Sequence, residues 1–384
     1  MTDVFVAADN IISPLGSTTR ENFDAVKAGI TGVRKHSRPE IAEQEFYASL
    51  MEPGMFDGGA TPAGGNRGTG GEPRYSKFEQ LLIASIGDAL MASGIQAKDK
   101  DTTLIVCSTK GNIHLLDDEP QASPVRLSLP GSAAALARHF GFVHTPMVIS
   151  NACISGLLGL ITGMRLIRAG VYENVVVAGA DVITKFILSG FTSFQALSPG
   201  YCRPFDRDRD GINLGEGAAT VVLSSRAEYR QGIGLRGGAV SNDANHISGP
   251  SRTGKELGQA IGAALRDAGS SAAGIGFISA HGTATPYNDE MEAKAITLAG
   301  LQHVPVNSLK GYYGHTLGAA GLIETIITLQ SMREGVVIPS RGFENNGVTM
   351  PLNVCSSLLH TPLNTCLKTA SGFGGCNAAI VLGK

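Results

Sequence analysis

The sequence predicts an α/β protein made of two similar halves, each reading β-α-β-α-β-α-β-β. Two observations carry this. Apolar runs of strand length, such as Leu104–Cys107, Asn174–Asp181 and Gly217–Ser224, alternate with helical spacing. The same order then starts over near residue 235, so an internal duplication is the economical reading, although residue identity between the halves is slight. Apolar strands alternating with helices imply parallel-rich sheets covered on their faces. With 384 residues the chain can bury a large core, and it is divided at 1–234 and 235–384.

Residues 4–8 make the first strand, and Thr18 or Thr19 caps a helix from Arg20 to Ala28. Residues 30–52 give weak signals. Eight of the twenty residues from 53 to 72 are glycine, which predicts a flexible surface loop. Ser76 opens a helix to Ser93 with Phe78, Leu81, Leu82 and Ile86 on one face. The strand Leu104–Cys107 and a helix over 130–140 follow. Met147 to Ile149 form a short strand, Ser150-Asn151-Ala152 a tight junction, and from Ile154 apolar residues recur at helical spacing until Gly170. After the strand Asn174–Asp181 come a loop with a short helix and the strand Gly217–Ser224. The second half offers strands at Leu235–Val240, Ile275–Ala280, Val304–Ser308, Cys366–Ser371 and Ala378–Leu382. Its helices fall at Gly254–Ala268, Asp289–Ala299 and Leu317–Arg333.

A net charge of −2 argues against a nucleic-acid partner. No apolar run has the length of a membrane span, and no basic stretch followed by an apolar one marks a signal peptide. Six cysteines without C-x-x-C spacing read as reduced thiols, which fits a cytoplasmic protein.

Cys153 sits where a strand turns into a helix. The helix dipole there favours a thiolate, and unpaired first-turn amides are available to an oxyanion. A small buried core cysteine is an equally good reading of this stretch alone. Four further stretches follow. Cys202–Gly217 alternates charges among glycines, as in an ion-paired bracing loop. Ser279-Ala-His281-Gly-Thr283-Ala-Thr285-Pro puts a histidine and hydroxyls at a strand end. Lys310-Gly-Tyr-Tyr-Gly-His315 also follows a strand, and Ser371-Gly-Phe373-Gly-Gly-Cys-Asn377 allows unusual backbone angles and close approach to a ligand.

In this order, these stretches resemble the β-ketoacyl-acyl carrier protein synthases, the elongating condensing enzymes of fatty acid and polyketide synthesis. The resemblance runs along nearly the whole chain and is tightest from Ala152 onward. It implies the thiolase fold, two duplicated halves in five α/β layers. It makes Cys153 the acyl-accepting nucleophile, His281 and His315 the two active-site histidines, and Lys310 the lysine five residues before the second. Thr283 and Thr285 match threonines that bind the phosphopantetheine arm. Phe373 matches the gating phenylalanine whose amide shares the oxyanion hole with that of Cys153. Glu324 matches an acidic residue ordering the lysine–histidine network. No metal and no cofactor are implied, because phosphopantetheine arrives on the carrier protein.

Such chemistry needs a nucleophilic thiol for the acyl thioester and donors for the enolate left when a malonyl thioester loses carbon dioxide. The implied partners are acyl carrier protein, acyl and malonyl thioesters and a second copy of the chain, joined near Met147–Ser150. A heterodimer with a second ketosynthase is the other arrangement. The short loop Leu197–Arg203, the glycine-rich segment before Ser76 and Tyr312-Tyr313 depart from the family pattern and leave acyl-chain preference open. Arg67, Arg74 and Lys77 are candidates for carrier docking, with a plain solvated surface as the equal alternative. Two other functions compete. A non-catalytic chain-length-determining subunit would usually lack Cys153, and a thiolase-type or initiating enzyme using coenzyme A would not carry His315.

Overall fold

The computed structural model describes residues 2–52, 75–119, 121–230, 232–244 and 248–384. The glycine-rich stretch 53–72, and with it Arg67 and Arg74, lies outside the described residues.

The first half holds β1 (Phe5–Ile12), β2 (Thr102–Cys107), β3 (Met147–Ile149), β4 (Asn174–Asp181) and β5 (Gly217–Ser224). The second holds β6 (Gly234–Asn242), β7 (Phe277–Ser279), β8 (Val306–Asn307), β9 (Thr365–Gly372) and β10 (Cys376–Gly383). Their order across the sheet is β8-β7-β9-β10-β6-β1-β5-β4-β2-β3. Only Phe5 opposite Gly234 joins β1 to β6. Outward from that seam each half repeats one succession, two antiparallel pairings and then two parallel ones. The ten strands are therefore two copies of one five-stranded sheet.

Helices α2 (Lys77–Ser93) and α3 (Leu129–Phe140) cover the outer face of the first sheet through Phe78, Leu81, Ala133 and Leu136. Helices α6 (Lys255–Asp267) and α7 (Pro286–Leu298) cover the second through Leu257, Ile261 and Ile296. Between the sheets lie α4 (Ser155–Arg168) and α8 (Ala320–Glu334), whose apolar residues share one core cluster, while the short α5 (Lys185–Ser193) follows β4. A helix with apolar residues on every side is a buried helix, and α8 is buried along most of its length. Small residues let α4 and α8 touch. A Cβ on Gly156 would lie 2.9 Å from the Gly318 carbonyl oxygen, and one on Gly321 2.8 Å from the Leu157 nitrogen. This gives five layers, helix–sheet–helix–sheet–helix, as in the thiolase fold.

The differences from expectation are local. Thr18 caps α1 (Thr19–Lys27), in a reciprocal arrangement with Glu21. Helix α7 begins at Pro286 rather than Asp289, because proline suits a first helical turn. Residues 30–52 contribute two short strands, Arg34–His36 and Phe46–Ser49, which form a small sheet with Leu214–Gly215. Val304–Ser308 shrinks to the two residues of β8. No helix among the described residues is long and apolar enough to cross a membrane.

Candidate active site

Cys153 follows β3 and sits two residues before α4. The junction is tight. Ala152 has φ 44°, a left-handed conformation uncommon without glycine. Ser155 secures it, its hydroxyl donating to the Ala152 carbonyl at 2.7 Å and accepting from the Asn151 amide at 2.8 Å. Gly372 passes so close that a Cβ there would lie 2.9 Å from the Cys153 nitrogen. This brings the Phe373 amide onto the Cys153 sulfur.

His281 leaves the end of β7, and His315 follows the single turn Lys310–Tyr313. The Cys153 Sγ and one nitrogen of each imidazole all lie within 4.8 Å of one another. The rings meet edge to face, with centroids 5.2 Å apart. Nδ1 of His281 and both ring nitrogens of His315 are buried without a hydrogen-bond partner among the described residues. Burial holds both imidazoles well below the usual histidine range, and the ammonium groups of Lys310 and Lys368 push the same way. Both are therefore neutral at pH 7. A Cys-His-His set is also a possible metal-donor set, but two adjacent buried ammonium groups oppose a cation.

The thiol corrects one expectation. A helix terminus contributes about 0.3–1 kcal/mol at the surface, whereas full burial shifts a titrating group by up to 3–5 units. Burial wins. It pushes the Cys153 thiol up to about 12, with the Cys376 sulfur adding to the shift and Lys310 and the Phe373 amide opposing it. At neutral pH the resting group is a thiol, and its proton needs an acceptor.

Buried carboxylates fix the loops. Glu292 accepts from the amides of His281 at 2.8 Å and Gly282 at 2.7 Å. Asp289 accepts from the amides of Thr283 at 2.9 Å and Phe205 at 2.7 Å, and burial raises it to about 6. Asp181, also raised to about 6 by burial, accepts from the Ser108 hydroxyl at 2.8 Å and the Gly318 amide at 2.7 Å. Glu324 bridges two buried lysines, Lys310 and Lys368. Sequence reasoning found Glu324 and Lys310 but missed Asp181, Asp289, Glu292 and Lys368. For Lys368 and Asp181 the usable signal was a charge inside or at the end of an otherwise apolar strand, whereas Asp289 and Glu292 lie on helix α7 among other polar residues and gave none.

The charged loop Cys202–Gly217 does brace the site. The His315 amide donates to the Asn213 carbonyl at 2.7 Å, and the Gly215 amide to the His315 carbonyl at 3.0 Å. Gly314 makes that contact possible. Its φ is 65°, and a Cβ would lie 2.3 Å from the Leu214 oxygen. Gly314→Ala should therefore cost about 1–3 kcal/mol of stability, read by chemical denaturation. Lys77 is not a free cation for docking, since its ammonium lies 2.9 Å from the buried Glu216 carboxylate.

Two cavities meet at Cys153. One, of about 490 Å³, is lined by His281, His315, Thr283 and Thr285, and its mouth carries the exposed Tyr287. The Thr283 and Thr285 hydroxyls lie 2.8 Å apart on its wall. The other, of about 840 Å³, is lined by Thr109, Lys110, Ala152, Phe186 and Leu317. Phe191, Phe194 and Phe373 line both. The Phe373 ring stacks on Phe191 at 5.7 Å and meets Phe194 edge-on at 5.3 Å.

Comparison with known proteins agrees with this geometry. Residues 1–228 match the N-terminal domain model of the β-ketoacyl synthases, and residues 234–344 match the C-terminal domain model. The chain is 31% identical to the 3-oxoacyl-[acyl-carrier-protein] synthase 2 of Vibrio cholerae, over 98% of each chain. It is 34% identical to the Vibrio harveyi enzyme of that name, over 99% of this chain and 98% of the relative. Among solved structures, the ishigamide ketosynthase/chain length factor superposes with a TM-score of 0.88 at 27% identity, over 100% of this chain and 99% of the other. A ketosynthase of Xenorhabdus doucetiae, solved in complex with its chain length factor, does so with a TM-score of 0.85 at 25% identity, over 100% and 98%. The chain belongs to the β-ketoacyl synthase family, acyltransferases that carry out elongating condensation in fatty acid or polyketide synthesis.

Proposed function

We propose that Cys153 takes up an acyl group and that His281 and His315 then act on a malonyl thioester. The observation that carries this is a buried thiol within 4.8 Å of two imidazole nitrogens, at the meeting point of two cavities. In the first step the Cys153 proton passes to a neutral imidazole as sulfur attacks the acyl thioester, and onward to the departing pantetheine sulfur. In the second the malonyl group loses carbon dioxide. The imidazole N–H groups hold the enolate oxygen, and the new carbon–carbon bond forms at the acyl carbonyl. The amides of Cys153 and Phe373 hold the tetrahedral oxyanion. The Cys153 sulfur leaves, and the proton consumed overall restores its thiol.

The cavity with Thr283 and Thr285 suits the phosphopantetheine arm of a carrier protein, and the cavity with Phe186 suits the acyl chain. No cofactor or metal takes part in this reading. The halves are divided at 1–234, with the nucleophile, and 235–384, with both imidazoles and Lys310. The half-exposed edge strand β3 and the exposed Phe186 and Phe194 favour a second subunit over the acyl cavity, either another copy or a second ketosynthase. A cytoplasmic location fits.

The test supplies acyl and malonyl carrier proteins of several chain types and follows 3-oxoacyl product and protein mass. Product with an acyl-enzyme intermediate is the expected result. Failure of every donor to acylate the protein would sink the reading and favour a partner subunit without catalysis. Phe373→Ala should merge the two cavities and shorten the acyl-enzyme lifetime several-fold in time-resolved mass spectra. Its cost in stability should be small, because the side chain is 37% exposed.

A further inference from the structure

Lysine is almost never fully buried unless paired, yet Lys368 in β9 is completely buried. Its ammonium lies 2.7 Å from Glu324 Oε2 and donates to the carbonyls of Ser279 at 3.2 Å, Ala280 at 3.1 Å and Thr369 at 2.6 Å. An ammonium has three protons, so four oxygens saturate it. The next carbonyl along, that of His281, is held by Lys310 at 3.1 Å. Every backbone oxygen from Ser279 to His281 thus rests on a buried ammonium.

We propose that Lys368 is a positioning residue for the condensation: it fixes Glu324 from the side opposite Lys310 and ties down the strand end that delivers His281. This rests on the roles proposed above for His281 and His315.

The charges argue for more than packing. Burying an ammonium costs several kcal/mol, and an apolar side chain of similar shape often serves stability as well or better. Lys310 and Glu324 would already form a pair, so Lys368 adds a further positive charge, faced by the Glu292 carboxylate on α7. The groups around the imidazoles are Lys310 after β8, Lys368 on β9, Glu324 on α8, Glu292 on α7 and the Cys153 thiol. Lys368 presses on both imidazoles against protonation, and burial depresses its own affinity for a proton. The acceptor for the Cys153 proton is thereby kept empty in mildly acidic solution.

The test compares wild type with Lys368→Met and Lys368→Gln. Single-turnover acylation of Cys153 is followed by intact mass across pH. Removing the positive charge should move the acid limb of the profile measurably upward, by part of the depression, since burial and Lys310 also hold the imidazoles down. Gln keeps donors for the Ser279 and Ala280 carbonyls, so it should recover plateau rate lost in Met while showing the same shift. Should Met fail to fold, Gln decides alone. Titration of nitrogen-15-labelled histidines by NMR reads the same shift without turnover, so a failed condensation reading and a failed role for Lys368 are told apart. An acid limb and histidine titration that stay in place in both variants would overturn the proposal, whatever the plateau rates.

Discussion

Cys153→Ala is expected to show no mass increment with any acyl carrier protein that acylates the wild type, and its condensation rate is expected to fall at least about 1000-fold. The five remaining cysteines are no substitute. All are buried, and only Cys153 shares its surroundings with two unpartnered imidazoles. Stability should change little, because the removed sulfur borders two cavities rather than a packed core. An acylated Cys153→Ala protein would place the nucleophile elsewhere.

The second large effect concerns the histidines. His281→Ala and His315→Ala should each lower condensation roughly 100- to 1000-fold, the loss typical of one oxyanion donor. The double variant should fall short of the product, since both donors serve one oxygen. Acylation of Cys153, followed separately, identifies the proton acceptor: it is slowed in the variant that lacks it and persists in the other. Because both imidazoles titrate well below the usual 6.5, wild-type acylation should hold its rate through pH 6 and fall only in more acidic solution, as they bind protons. A rate halved near pH 6.5 would contradict this.

The order of elements was legible because strands such as Gly217–Ser224 are continuous apolar runs, bounded as the sequence suggested. Strand β8 was read too long. Only Val306 and Asn307 find ladder partners in β7, and nothing in the sequence reports where a partner strand stops. That Cys153, His281 and His315 come together was legible from motifs at strand ends. Their electrostatics were not. The junction before α4 is visible in the sequence and argues for an acidic thiol, whereas the burial that overrides it arises from glycine loops of the other half. Lys77 looked like a free surface cation for the same reason, because Glu216 is distant in sequence and meets it only in the fold. Lys368 was hidden inside an apolar run, where one charge suggests an exposed edge until its four oxygen partners are seen.

The repeated sheet also bears on how this scaffold can diversify. By position, β2 corresponds to β7 and β3 to β8. The loop after β7 supplies His281, Thr283 and Thr285 to one cavity, while the loop after β2 supplies Thr109 and Lys110 to the other. Equivalent loops of a duplicated unit therefore border two cavities that share a single sulfur atom. Substitutions in one of these two loops reshape one chamber alone, whereas Phe191, Phe194 and Phe373 belong to both. Through these loops the two chambers can change shape separately, so long as the seam between the copies keeps its register.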